Sequence, residues 1–477
     1  MNSVTIDGVP PHGGHGARSS TGGGVTQARE KDIREDIAWA QINRDVLKSL
    51  DRPRASYWIL FAFAFCLFLV GVACEIYQYN VGLGVSGMNN PDVWGLYIAT
   101  FIFWIGMSHS GTLLSAILHI IHADWRKPIY RFAEAMTTFS LMTAGLFVAV
   151  HLGRLWQIYY ALPYPNERWT WPNFQSPLLW DAMAIFTYLS SSILFLYVGA
   201  IPDFAICRDN ASGWRKGFYD KLSLGWMGTD RQWRNFRVAY LVIACFLIPL
   251  AVSVHSIVAS DFAMSQQPGW HITSFPPYFV AGALYSGCAA IITLFIMLRH
   301  TFRFEEYMTL PILDKTARLT FAIAMVWTYL NLIEYSSVWY GADAVAKETL
   351  IQRATGPYAV YWWAMNFLGS VVPFALIFKR LRANLTVMMI VSLLLNLGMW
   401  LERWMIVTPT FAHGYEPWTW NHSFFPSWVQ WGIVLGSFGW FGMLFMLFCK
   451  LVPSVSMYEV KEMVFHRKLA KLHTREA

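Results

Sequence analysis

The sequence is poor in charge. Only 14% of its 477 residues are Asp, Glu, Lys or Arg, while 56% are apolar and 17% aromatic. Soluble domains carry roughly 25% charged residues, so a water-soluble fold is excluded, and the mean hydropathy of +0.38 points to an integral membrane protein. Cysteine is scarce too. Cys66, Cys74, Cys207, Cys245, Cys288 and Cys449 are scattered and form no Cys-x-x-Cys pair. That excludes the familiar ligand spacings of an iron–sulfur cluster and the attachment of a c-type haem within this chain. The first 28 residues, with "GVPPHGGHGARSSTGGG", lack the apolar core of a signal peptide and read as a flexible polar tail. Residues 29–55 are mixed in charge and read as a short surface helix leading to the membrane.

What is abundant is long apolar runs. Ten of them are long enough to span a bilayer: 56–79, 93–120, 132–153, 178–200, 238–259, 277–298, 318–340, 358–378, 385–407 and 426–449. The eighth contains Pro373 and the ninth the charged "WLERW". The basic residues orient them. All of the 36 Lys and Arg except Arg154, Arg168, Lys347, Arg353 and Arg403 fall in 1–55, 121–131, 201–237, 299–318, 379–384 and 450–477. This bias predicts both termini in the cytoplasm. It also makes the net charge of +7 a mark of topology and not a nucleic-acid footprint.

The loops on the opposite side are aromatic and Pro-rich. "PNERWTWPNFQSPLLWD", "QQPGWHITSFPPYF" and "YEPWTWNHSFFPSWVQW" share a texture of Trp, then Ser, then Pro. The last two follow spans five and nine, so spans two to five and six to nine read as parallel repeats. The expected fold is all-α, with two four-helix bundles made of those spans and peripheral spans one and ten. By residue, this gives a tail at 1–55, a peripheral span and loop at 56–92, bundles at 93–262 and 263–410, a peripheral span at 411–449 and a tail at 450–477.

Ionisable groups inside a bilayer are costly unless paired or hydrated, so each is a functional candidate. His151 and Arg154, in "AVHLGRLWQIYY", share a face at the outer end of span three, and Asp181 opens span four. A His and a carboxylate flanking an aromatic pocket suit quinol chemistry, in which each hydroxyl needs an acceptor for its proton. A structural staple between two helices is the alternative. Trp169 and Trp171 lie in the loop that would close over such a pocket. "VHSIVASDFA" supplies His255 and Asp261 at the outer end of span five, where an interfacial His and a cap are equally open readings. His109 lies mid-span in "WIGMSHSGTLLSA", among small residues that permit close helix contact. Together with Glu75, Glu334, Asn396 and Glu402 it forms a candidate proton path; a Glu402–Arg403 pair serving structure alone is the competing reading.

"FWIGMSHSGTLLSAIL", "HLGRLW", "SPLLWD", "HSIVASDF" and "MWLERWMIV", in this order over residues 50–450, resemble the NrfD/polysulfide-reductase membrane-anchor family. Ten spans with a cytoplasmic amino tail resemble its larger branch, the ActC-type quinol-binding subunits of bacterial alternative complex III. The resemblance implies two four-helix bundles and a chain without haem or metal. It implies a menaquinone or other quinone site at the outer end of the first bundle, with His151 and Asp181 as the binding and deprotonating pair and Arg154 and His255 nearby. It implies an iron–sulfur subunit on the periplasmic face, c-type cytochrome subunits and a second NrfD-like subunit as partners, in the bacterial inner membrane. A proton route through the bundles is part of the same implication.

Two other classes compete. A haem-b-type membrane anchor needs two His pairs at matching depths on facing helices, and His109 is the one His clearly mid-span. A secondary transporter predicts broken helices and a midplane substrate site, whereas the strongest polar cluster is expected at the outer face.

Overall fold

The computed structural model describes residues 39–51, 54–161, 177–271, 273–341, 343–415 and 423–465. Among them the chain is helical, apart from loops and one isolated bridge between Asn89 and Asp92. In hydrocarbon, a helix satisfies every backbone donor and acceptor within its own segment. The helices are α1 (Trp39–Asp51), α2 (Ala55–Val81), α3 (Gly95–Ile120), α4 (Tyr130–Leu152), α5 (Pro177–Asn210), α6 (Trp214–Leu222) and α7 (Asp230–Ala263). They continue as α8 (Phe275–Phe302), α9 (Leu310–Tyr340), α10 (Ala344–Thr355), α11 (Ala359–Asn366), α12 (Lys379–Arg382), α13 (Leu385–Phe411) and α14 (Trp428–Leu451). Ten segments are long and apolar enough to cross a membrane: α2–α5, α7–α9, α11 with its extension to Ile377, α13 and α14. An even number puts both described ends on one face, here the tail side; the opposite face is the far side.

The ten spans fall where the apolar runs predict, but α5, α7 and α9 run further toward the tail side. Hydropathy measures apolar length, and these helices continue through polar turns beyond it. α7 starts at Thr229, whose hydroxyl accepts from the Gln232 amide while the Gln232 side chain accepts from the Thr229 amide, a reciprocal cap. The eighth span departs from a plain helix. After α11 it passes through a π turn at Phe367–Val371 and a 3-10 turn at Val372–Ile377. Pro373 has no N–H to give the Gly369 carbonyl four residues before it. The Tyr285 hydroxyl of α8 donates to that carbonyl instead, at 3.0 Å. The ninth span, α13, runs unbroken through Glu402 and Arg403.

α3 is buried along almost its whole length and touches α4, α7, α8 and α13. Small residues make this possible. A Cβ at Gly111 would collide with the Ala133 carbonyl and the Thr137 hydroxyl of α4. On the other side Ser110 donates to the Leu284 carbonyl of α8 at 2.7 Å. α4 also packs on α5 and α5 on α7, while α8 packs on α9 and α13, and α11 on α13. α2 and α14 pair at the edge through Gly71, Gly432, Gly436 and Gly439; a Cβ at Gly71 would sit 2.6 Å from Gly436 Cα. This is small-residue packing of membrane helices, in which close backbones supply the van der Waals contact. Gly71→Leu should therefore wedge α14 off α2 at a cost of about 1–3 kcal/mol. A lowered thermal unfolding midpoint in detergent is the expected readout; an unchanged midpoint would show that the contact is dispensable.

Candidate functional site

Three helix ends meet the far side in the first group, the mutually packed α3, α4, α5 and α7. α4 ends at Leu152, and the chain turns at Gly153, whose φ of 65° is left-handed and where a Cβ would collide with Leu83. His151 is half-buried in this last turn, and its Nδ1 has no hydrogen-bond partner among the described residues. α5 opens with Pro177, which suits a first helical position because its missing N–H would go unused there. Asp181 follows one turn later, near the positive end of the helix dipole. Asp261 lies in the last turn of α7. Because α5 packs on α7, the Asp181 and Asp261 carboxyls come within hydrogen-bonding reach of each other. Each also keeps one buried oxygen, Oδ1, without a partner among the described residues. Two carboxyls can bond to each other only through a shared proton. Buried polar atoms without partners at neighbouring helix ends are what a site awaiting a polar ligand or water leaves behind.

Along the chain Asp181 and Asp261 belong to separate clusters; the fold joins them. Arg154, which the resemblance puts near this site, takes no part in that contact. That side chain is exposed and makes no ion pair with Asp181 among the described residues; the charge facing Asp181 is another carboxyl. No hydrogen bond or ion pair links His151 directly to Asp181 among the described residues, so a bridging molecule would have to join them. Trp169 and Trp171 lie outside the described residues. Further along the far side, Trp270 stacks on Trp94 and meets Phe262 and Phe411, while its indole donates to the Ile406 carbonyl at 3.1 Å.

His255 is not beside Asp181. Six residues separate it from Asp261 along α7, about 9 Å of rise, and it is fully buried next to His109, their ring centroids 4.6 Å apart. His109 also stacks on Tyr188, and its Nδ1 bonds the Ile105 carbonyl at 2.6 Å. The expectation that His109 stands alone at mid-depth is thus corrected. The two rings are in direct contact, with no gap between them for a porphyrin plane, so the pair lacks the geometry of axial haem ligands.

In the second group, α8, α9, α11 and α13, Glu402 and Arg403 form a buried ion pair at 3.1 Å, with the guanidinium over the Phe279 ring at 4.4 Å. Glu402 is within bonding reach of Tyr278 and Trp327; Tyr278 donates to Asn331 at 3.3 Å, and Asn331 to Asn366 at 3.0 Å. Glu334 pairs with Arg353 at 3.5 Å. Asn396 is not on this chain of polar groups: its amide donates to the Ser392 carbonyl of its own helix at 3.0 Å. Glu75 is also apart, on α2, where Gln78 links it to Tyr97.

A further buried polar network has little signature in the sequence. Glu134 on α4 accepts from Ser115 at 2.6 Å and from Tyr240 at 2.7 Å. Below it, toward the tail side, Arg126 bonds His119 at 2.7 Å and Glu459 at 2.9 Å. Burial pushes the Glu459 carboxyl above its ordinary range, against the opposing pull of Arg126. Arg131 pairs with Asp203 at 3.0 Å with both side chains wholly buried, and Asp203 accepts from the Met457 and Tyr458 amides at 3.1 and 3.2 Å. Glu134 does have one signal, a carboxylate inside an apolar run. Asp203 has none, because it lies just past the apolar part of α5. Losing one partner of such a pair strands a buried charge, at about 3–5 kcal/mol. Asp203→Ala should accordingly lower the unfolding midpoint and release the segment around Tyr458 to rapid amide exchange; retention of both would contradict the latch.

Comparison with known proteins places these features in context. The family profile "Polysulphide reductase, NrfD" matches residues 84–413. A candidate dimethyl sulfoxide reductase membrane subunit of Halobacterium salinarum is 27% identical over 338 residues, 70% of this chain and 72% of that protein. A selenate reductase subunit of Mesobacillus selenatarsenatis is 23% identical over 81% of this chain and 91% of its own length. The Hdr-like menaquinol oxidoreductase integral membrane subunit of Archaeoglobus fulgidus is 22% identical over 84% of this chain and 96% of its own length.

Proposed function

Because the chain belongs to the polysulphide reductase, NrfD family, and so is a membrane subunit of a quinol-linked oxidoreductase complex, we propose that its own task is to bind a quinol at the far-side end of the first helix group and take up its protons. The observation that carries this is the Asp181–Asp261 contact, with unpartnered polar atoms on both carboxyls and on His151. Oxidation of a quinol removes two electrons and two protons. A neutral imidazole at His151 can accept one hydroxyl proton. The carboxyl pair, holding one shared proton, has the capacity for one more and opens onto the far side. Similarity to the Archaeoglobus menaquinol oxidoreductase subunit supports menaquinol as the quinol.

The basic residues support a cytoplasmic tail side and a periplasmic far side in a bacterial inner membrane. On this reading residues 93–262 are the quinol-binding bundle and 263–410 the second bundle, with 56–92 and 411–449 peripheral. Electrons leave to an iron–sulfur subunit docked over the far side and then to c-type cytochromes. This is the arrangement of alternative complex III, with a second NrfD-like subunit alongside. Proton translocation belongs to the same proposal. Its support is the buried polar chain from Glu402 to Asn366 and the Glu134 network beneath the site.

His151→Ala, Asp181→Asn and Asp261→Asn should each lower quinol turnover of the assembled complex. Loss of one hydrogen-bond partner costs about 1–3 kcal/mol, roughly five- to 150-fold in rate. Steady-state quinol oxidation by purified complexes with all their subunits present is the measurement, and wild-type rates in all three would refute the site. Reporter fusions at residue 165 or 415 should report the periplasm; a cytoplasmic signal would reverse the orientation.

A further inference from the structure

A cavity of about 340 Å³ opens on the tail side, far from the proposed quinol site, where α1, the start of α2 and the end of α8 converge. Three cations line it, each from a different segment: Lys48 in the last turn of α1, Arg54 capping α2, and Arg303 closing α8. Arg303 holds a left-handed backbone with φ of 60°, a position that glycine fills most easily. Keeping an arginine there costs strain and puts one more positive charge at the rim. Asp45 is the one acidic side chain of the lining, and one of its oxygens accepts from Tyr307 at 2.8 Å. Asp51 is paired with Arg215, and Asp314 with Arg318 and Arg382, while Glu305 and Glu306, just past Arg303, are not among the lining side chains. Among the described residues, Lys48, Arg54 and Arg303 have no carboxylate partner; Arg54 donates to the His300 carbonyl at 2.8 Å. Like charges gathered in one concavity repel each other unless an anion sits among them.

The surroundings say what carries that anion. The cavity lies at the membrane-facing start of α2, whose next residues, Trp58 and Ile59, are 56% and 69% exposed and apolar. α1 buries Ile42, Val46 and Leu50 against the protein and ends at Asp51, just before the first apolar span. Phe302 and Thr301 form the buried floor. We propose that this cavity binds the phosphate group of an anionic phospholipid, with the headgroup held by Lys48, Arg54 and Arg303 and the acyl chains running up the apolar face of α2. Tail-side headgroups then fix α1 and α2 relative to α8.

The test uses the full chain in its complex, in nanodiscs of phosphatidylcholine alone or with phosphatidylglycerol added. Native mass spectrometry should show phosphatidylglycerol retained selectively on the wild type. Lys48→Ala with Arg303→Ala, both exposed and outside any ion pair among the described residues, should lower its occupancy about ten- to thirtyfold, while Lys48→Arg keeps it. Equal retention by wild type and double variant overturns the proposal. So does the absence of any preference for phosphatidylglycerol over phosphatidylcholine on the wild type, a reading that needs no variant. Inorganic phosphate that binds the wild type while no phospholipid is retained would show a free-anion site and overturn the lipid assignment.

Discussion

The close approach of α3 to its neighbours is the constraint on which the rest depends. Gly111 lies against the Ala133 carbonyl with no space for a methyl group, and Ser110 is bonded into α8. With bulky residues at these positions α3 could not touch four helices at once. Together with the packing of α7 on α8, α3 joins the two helix groups into one interior. His109 reaches Tyr188 and His255 from it, and Ser115 reaches Glu134. Lipid offers helices no hydrophobic reason to associate, so these contacts, together with interhelical hydrogen bonds, hold the polar residues in place.

Polar groups in this interior fall into two kinds. Arg131–Asp203, Arg126–Glu459, Glu402–Arg403 and Glu334–Arg353 are paired, and their partners offset the cost of burying charge. His151, Asp181 and Asp261 are different: none has an ion-pair partner among the described residues, and each keeps a buried polar atom unbonded at the far-side end of its helix. The first kind locks helices together. The second leaves hydrogen-bonding capacity unspent at the far-side helix ends, where the proposed quinol would bind. That contrast, more than the presence of ionisable residues as such, sets the proposed site apart from the scaffold.

Much of the fold is legible in the sequence because the bilayer imposes a length on every span. The ten spans and their order follow from apolar runs alone. What apolar length cannot convey is where a helix continues into polar surroundings, so the extra turns of α5, α7 and α9 do not show, nor does the role of Asp203. Pro373 marks the irregular eighth span, but the Tyr285 hydroxyl that rescues the Gly369 carbonyl comes from another helix. The site is half legible. His151 and Asp181 stand out as ionisable residues at span ends. The partnership of Asp181 with Asp261 depends on how α5 faces α7, and no periodicity within either helix encodes that.

Proton exchange between the quinol and the Asp181–Asp261 carboxyl pair is the central claim. Infrared difference spectroscopy of quinol oxidation in the assembled complex reads this directly. The account predicts a carboxylic C=O band that changes on oxidation, shifts in heavy water and disappears in both Asp181→Asn and Asp261→Asn. A band that persists unchanged in both variants, or no carboxyl signal in the wild type, would contradict it.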